Sequence, residues 1–404
     1  MSKNKRYLLN AWLSIFVAAL FFFYWFIQLS LNNALIDYYI ERYQIGSYGL
    51  FTSMCLIGNV IMFIPAGVIL DRYNTKKVII AALGLMVVGV VIMTWVDNTC
   101  IAYFCMLLVG FSGAFTLLSC VRVATSFFND GGIGFPISIA ITIGFLGGYL
   151  GNAGGHALLV WFGSGQVVQM TNITLGLIII ILTLLLMKKS PYTIAKNEKQ
   201  SIYEAFKQLR YVVNKKQNWL AALYISLMNF PVMILEFSFG QAFLKDSFNI
   251  SAQDAATIAG IISVGYMIGG PIWNRLSDRF GVRKPFMLLG AALSLLVTLL
   301  LLNENLSYHA LIVIFFFIGA LTAAQNIGYP LIAQSNAIEI SASAISLGSL
   351  IIMGGGALAQ IGFGVLEKSI SFHGAYIVIP VCIMFSLLLV FLIKEPKSLC
   401  HLKM

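Results

Sequence analysis

Apolar stretches long enough to cross the roughly 30 Å hydrocarbon layer of a bilayer, at about 1.5 Å per helical residue, recur along this whole chain. Twelve are placed, near 10–32, 47–70, 77–96, 100–128, 134–161, 167–187, 219–244, 254–275, 285–302, 309–334, 341–366 and 373–394. Lipid offers a backbone no hydrogen-bonding partner, so each stretch must satisfy its own amides and carbonyls as a helix. The expected fold class is therefore all-α and integral to a membrane. Composition agrees: 59% of residues are hydrophobic and 10% charged, against about 25% charged in a soluble globular chain. The first stretch follows MSKNKRY without a small-residue cleavage site, which reads as a retained span. With no polar stretch of domain size, an attached enzyme module is not expected.

One motif occurs twice. GVILDRYNTKK at 67–77 returns as NRLSDRFGVRK at 274–284, and Asp71 and Asp278 stand 207 positions apart (278 − 71), about half of 404. The chain thus reads as one six-span unit built twice, 1–187 and 219–404, joined by a polar segment at 188–218. Parallel repeats of this kind are a transporter architecture. The same offset carries Trp12 onto Trp219, and it carries Gly147 and Gly148, from the run Gly144, Gly147, Gly148, Gly151 of span 5, onto Gly354 and Gly355 of span 11. Glycines spaced three and four apart bare one helix face for close contact.

Lys and Arg resist translocation, so their distribution gives topology. With the N-terminus inside, the inner segments hold nearly all of them, while the outer segments hold only Arg42, Lys245 and Lys368. The net charge of +10 is a topology signal, and nucleic acid is not needed to explain it. An even number of spans returns the C-terminus to the cytoplasm, so the expected location is a bacterial inner membrane with both termini inside. In the 188–218 segment, Ser201 and Glu204 form a capping-box pattern before Ile202, Phe206, Leu209 and Val213. This predicts an amphipathic helix on the inner membrane surface, held by its basic residues toward anionic lipid.

Cysteines and histidines give no ligand spacing: no CxxC, HxxxH or HxxE occurs. No metal and no cofactor are expected. His156, well inside span 5, reads as a histidine bonded to a neighbouring helix.

Over its entire length the sequence resembles the major facilitator superfamily. The signature of that superfamily between spans 2 and 3, roughly GxxxDRxGRK, is met here by Gly67, Asp71, Arg72 and Lys76-Lys77, with Asn74 at the second glycine. Asp278, Arg279, Gly281, Arg283 and Lys284 keep the copy between spans 8 and 9, with Asn274 at the leading glycine. The resemblance implies a cytoplasmic gate in which each aspartate meets a helix N-terminus of the opposite half and Arg72 and Arg279 complete the network. The glycine-proline motif of drug antiporters is missing from GFLGGYLGNAGG at 144–155, and the arginine pair of phosphate-ester antiporters is absent. More loosely, LLSCVRVATSFFND, LMNFPVMILEFSFGQAFL and IGYPLIAQSN resemble a bacterial nutrient-uptake branch that includes amino-acid importers of intracellular pathogens, phagosomal transporters among them. The acidic residue of span 1 in that branch is replaced by Trp25.

A charge at the bilayer centre costs at least about 3 kcal/mol on insertion scales, so charges inside spans single themselves out. Two do so: Arg122 in span 4 and Glu236 in span 7. By resemblance, spans 1, 4, 7 and 10 line a central cavity, and both charges are on that set. Arg122 presents a planar fork suited to a carboxylate, and Glu236 can load and release a proton. Tyr24 and Gln28 in span 1, Asn229 in span 7, and Gln325, Asn326 and Tyr329 in span 10 complete an expected site for a small polar substrate. Asn229 precedes Pro231, which lets the helix bend. The offset places Tyr329 opposite Arg122 (122 + 207). The expected function is alternating-access uptake of an amino acid or other carboxylate-bearing nutrient, proton-coupled, by a monomer. Efflux of an amphipathic compound, suggested by FFFYWF at 21–26, and ligand sensing are the alternatives.

Overall fold

The computed structural model describes residues 3–127, 134–188, 211–336 and 338–395. Span 1 is α1 (Lys3–Ala34), followed by a short amphipathic helix, α2 (Ile36–Tyr43). Spans 2, 3 and 4 are α3 (Tyr48–Arg72), α4 (Thr75–Trp95) and α5 (Thr99–Phe127). Span 5 is α6 (Gly134–Tyr149), a π turn at Leu150–Gly154 and α7 (Gly155–Phe162); span 6 is α8 (Gly165–Leu186). Span 7 is broken into α9 (Lys216–Met228), a π turn at Val232–Glu236 and α10 (Gly240–Phe248). Spans 8 and 9 are α11 (Ala252–Phe280) and α12 (Lys284–Leu300). Span 10 is α13 (Tyr308–Thr322), a 3-10 turn at Ala323–Ile327 and α14 (Gly328–Gln334). Span 11 is α15 (Ile338–Ile370), and span 12 is α16 (Phe372–Tyr376) with α17 (Val378–Leu392). Among the described residues eleven helices are long and apolar enough to cross a membrane, and the shorter apolar α12 makes the twelfth. The protein is an all-helical, multi-pass membrane protein. Of the expected linker helix, Ser201, Ile202, Glu204, Phe206 and Leu209 lie outside the described residues.

Two compact units result: Met1–Gly46 with Met54–Ile202, and Ser47–Ser53 with Tyr203–Met404. In the first, span 1 is gripped by the glycines of span 5. A Cβ at Gly147 would lie 2.2 Å from the Phe23 carbonyl, and at Gly151 3.1 Å from the Ile27 carbonyl, so backbone touches backbone where a side chain would stand. Asn33 Nδ2 donates to Asn152 Oδ1 at 2.7 Å across the same contact, and His156 Nδ1 lies 3.4 Å from the Ala34 carbonyl. Arg42 is anchored: it pairs with Asp97 at 2.6 Å, donates to the Thr94 carbonyl at 2.7 Å and reaches the Tyr38 hydroxyl. Burial holds the Tyr38 phenol above its ordinary range, and Arg42 draws it part of the way back.

Both units cross spans 2 and 4, or 8 and 10, in one manner. In the first, Gly58 would place a Cβ 2.3 Å from the Leu107 carbonyl and Gly110 one 2.0 Å from that of Cys55. In the second, Gly265 meets the Phe316 carbonyl and Gly319 that of Ile262, each at 2.0 Å. Spans 2 and 8 keep the offset of 207 (265 − 58), but spans 4 and 10 stand at 209 (319 − 110). Arg122 therefore corresponds to Leu331 and not to Tyr329, which falls opposite Cys120.

The repeated loops also share a task. Lys76 Nζ donates to the carbonyls of Leu184 and Met187 at 2.6 and 3.0 Å, capping the end of α8. Lys284 Nζ does the same for α17 through Phe391 and Ile393, at 3.0 and 2.9 Å. A cation at a helix C-terminus is favoured by the dipole and by unpaired carbonyls.

Candidate functional site

The break in span 7 sets the site. Asn229 closes α9, Pro231 supplies no amide to the preceding turn, and the π turn that follows carries Glu236 to its last position. Gln360 of α15 donates to the Met233 carbonyl at 3.1 Å and so satisfies a backbone group inside that turn. Gly240 restarts the helix where a Cβ would lie 1.7 Å from the Leu235 carbonyl, a contact only glycine permits.

Glu236 is fully buried, and its Oε1 accepts a hydrogen bond from the Ser263 hydroxyl of α11. One turn along α11 from Ser263, Tyr266 joins the amides of spans 7 and 10. Its hydroxyl donates to Asn326 Oδ1 at 2.7 Å and accepts from Gln325 Nε2 at 2.8 Å. Gln325 Nε2 also donates to Asn229 Oδ1 at 2.8 Å. The carboxylate thus sits beside a hydrogen-bonded run of one phenol and three amides, drawn from spans 7, 8 and 10 of the second unit. Buried polar networks of this kind hold their members in place and can relay a change at one of them. Tyr329, half-buried, shares a hydrogen bond with Ser349 of α15.

The other expected residues are placed elsewhere. Tyr24 and Gln28 face span 6: the Tyr24 hydroxyl donates to the Asn172 carbonyl at 3.1 Å, and Gln28 and Asn172 exchange amide bonds at 2.9 and 3.0 Å. Their hydrogen-bonding capacity is spent on holding spans 1 and 6 together. Arg122 is half-buried near the end of α5, in the first unit. It continues a stripe of Ser112, Thr116 and Ser119, three buried hydroxyls at helical spacing.

Among the gate residues, Asp278 Oδ1 lies 2.5 Å from Nη1 of Arg283, in its own loop. Arg283 is buried and also donates to Ser277 Oγ at 3.0 Å, whereas Arg279 and Arg72 are exposed. Gly281, at φ +69°, ends α11 and turns Arg283 back under Asp278. The side chain of Asp71 lies outside the described residues. Glu395, not singled out in the sequence, accepts from the amides of Arg283 and Lys284 at 2.6 and 2.8 Å and caps α12.

Ser263 and Tyr266 escaped sequence reasoning as well. Their one signal is two polar groups three apart in the apolar run IISVGYMIGG of span 8, a span outside the set that the family resemblance assigns to the cavity.

Comparison with known proteins bears on the whole chain. The profile described as Major Facilitator Superfamily matches residues 8–241 and 225–401. No curated protein sequence matches. Among solved structures, a variant of the nucleoside transporter NupG superposes with a TM-score of 0.73 at 17% identity, covering 94% of this chain and 98% of that one. A bacterial homologue of the human lysosomal transporter Spinster, inward-facing and occupied, gives 0.73 at 14% identity, covering 94% and 95%. At these identities the likeness is one of fold.

Proposed function

The chain belongs to the Major Facilitator Superfamily, and from that premise we propose that it is a proton-coupled secondary transporter of a small polar metabolite, an amino acid or other carboxylate-bearing nutrient, working by alternating access. It acts as a monomer in a bacterial inner membrane with both termini cytoplasmic. The observation that carries this reading is an asymmetry between the halves. By the offset of 207, Glu236, Ser263 and Asn229 correspond to Leu29, Leu56 and Phe22, and by that of 209 Gln325 corresponds to Thr116. The first unit keeps two leucines, a phenylalanine and a threonine where the second buries a carboxylate and amides. A buried carboxylate is costly in a lipid-embedded helix, so its presence in one half only supports a role in chemistry. Proton occupancy of Glu236 biases which face opens, and Arg122 takes the substrate carboxylate. Asp71, Arg72 and Asp278 set the inner gate, with Arg283 in place of Arg279 as the partner of Asp278.

The test is reconstitution into proteoliposomes. Glu236→Gln is expected to preserve counterflow exchange and to lose accumulation driven by a proton gradient; accumulation at the wild-type level would remove the coupling role. Arg122→Ala is expected to abolish binding, and unchanged affinity would reduce Arg122 to a side chain reaching for the headgroups. A nucleoside is the second cargo to screen, because Asn229, Gln325 and Asn326 offer the paired donors and acceptors that a base edge requires. One structural neighbour is described as a nucleoside transporter.

A further inference from the structure

Along α11, Ile268, Ile272, Arg275 and Arg279 follow at intervals of four, three and four residues. At about 100° per residue they share one narrow face. Ile268 and Ile272 are 49% and 51% exposed. Both isoleucines are left uncovered by protein, and the two arginines, both exposed, continue the same open stripe. Arg279 lies about 10 Å along the axis from Ile272. Beside it Phe280, 60% exposed, packs on Phe286 with ring centroids 5.6 Å apart.

The neighbouring carboxylates do not neutralise this face. Asp278 is taken by Arg283 and Glu395 by the first amides of α12. Among the described residues neither Arg275 nor Arg279 makes a hydrogen bond or ion pair with the protein. Two exposed guanidinium forks thus stand one turn apart at the end of an exposed apolar track. We propose that Arg275 and Arg279 bind the phosphodiester of an anionic phospholipid whose acyl chains lie along Ile272 and Ile268. Planar forks suit a phosphate through paired charge-assisted hydrogen bonds, and the track supplies the reason for a lipid over a free anion. The first unit is an internal control. Arg72 stands where Arg279 does, but Arg275 is matched by Val68, which is buried, so no pair forms there.

Native mass spectrometry of the purified full chain in mild detergent, titrated with phosphatidylglycerol or phosphatidylcholine, tests the site. The wild type is expected to retain phosphatidylglycerol at least severalfold better than phosphatidylcholine, and excess inorganic phosphate should not displace it. Arg275→Gln/Arg279→Gln should lose that preference, while Arg72→Gln keeps it. Should the double variant not fold, Arg275→Gln alone is read in the same way. Undiminished retention by the variant, equal retention of the two lipids, or full displacement by inorganic phosphate would each overturn the proposal.

Discussion

Glu236 was legible as a residue because a carboxyl in an apolar run is costly enough to stand out against every neighbour. Ser263 and Tyr266, which fix its surroundings, were not, since a hydroxyl costs little in a span and serine and tyrosine pass as packing. Removing the Ser263 hydroxyl takes a neutral hydrogen-bond donor from the carboxylate. Ser263→Ala should therefore shift the pH at which transport is half-maximal while leaving the amount of folded protein within about 1 kcal/mol of wild type. An unchanged pH profile in a proteoliposome flux assay would disconnect the pair from coupling. The aspartates of the repeated loop teach the opposite lesson. Arg279 was the arginine expected in the gate network, yet it is Arg283 that Asp278 pairs with, because Gly281 folds the chain back and brings the later arginine within reach.

At the scale of elements, the spans were readable from hydrophobicity and length, and the interruptions inside them were not. Pro231 announced a bend in span 7. The π turns at Leu150–Gly154 and Val232–Glu236 leave no comparable mark, since a helix that is apolar all round has no polar face whose periodicity could slip. Glycine spacing was the better guide, and it also predicts cost. Gly265→Val would set a branched side chain against the Phe316 carbonyl at a crossing with no room for a Cβ. A loss of about 3 kcal/mol or more is expected, seen as a lower melting temperature in detergent. Gly354→Ala, where a Cβ meets nothing within 4 Å, should leave it unchanged. Equal effects of the two would mean that these crossings loosen freely.

For the whole molecule, duplication was visible in one motif, yet its register was not constant. Lys76 and Lys284 do the same work in the two units, tying the start of span 3 or 9 to the end of span 6 or 12. Lys76→Met and Lys284→Met should each lower stability by about 1 kcal/mol, roughly additively because the sites lie in separate units; a thermal melt of the double variant checks this. The slip from 207 to 209 begins in the repeated loop itself. Tyr73 and Asn74 lead straight into α4, which starts at Thr75, whereas Gly281, Val282 and Arg283 intervene before α12 at Lys284, so the helix starts are 209 apart (284 − 75). The signature that betrays the duplication is thus the point at which the two copies part. A chimera that grafts spans 3 and 4 of one half onto the other by matching the Asp-Arg pair would turn those helices about 200° about their axes, because each residue is worth about 100°. Ancestral fusion, like any such graft, would have had to settle its phase within that one turn of chain.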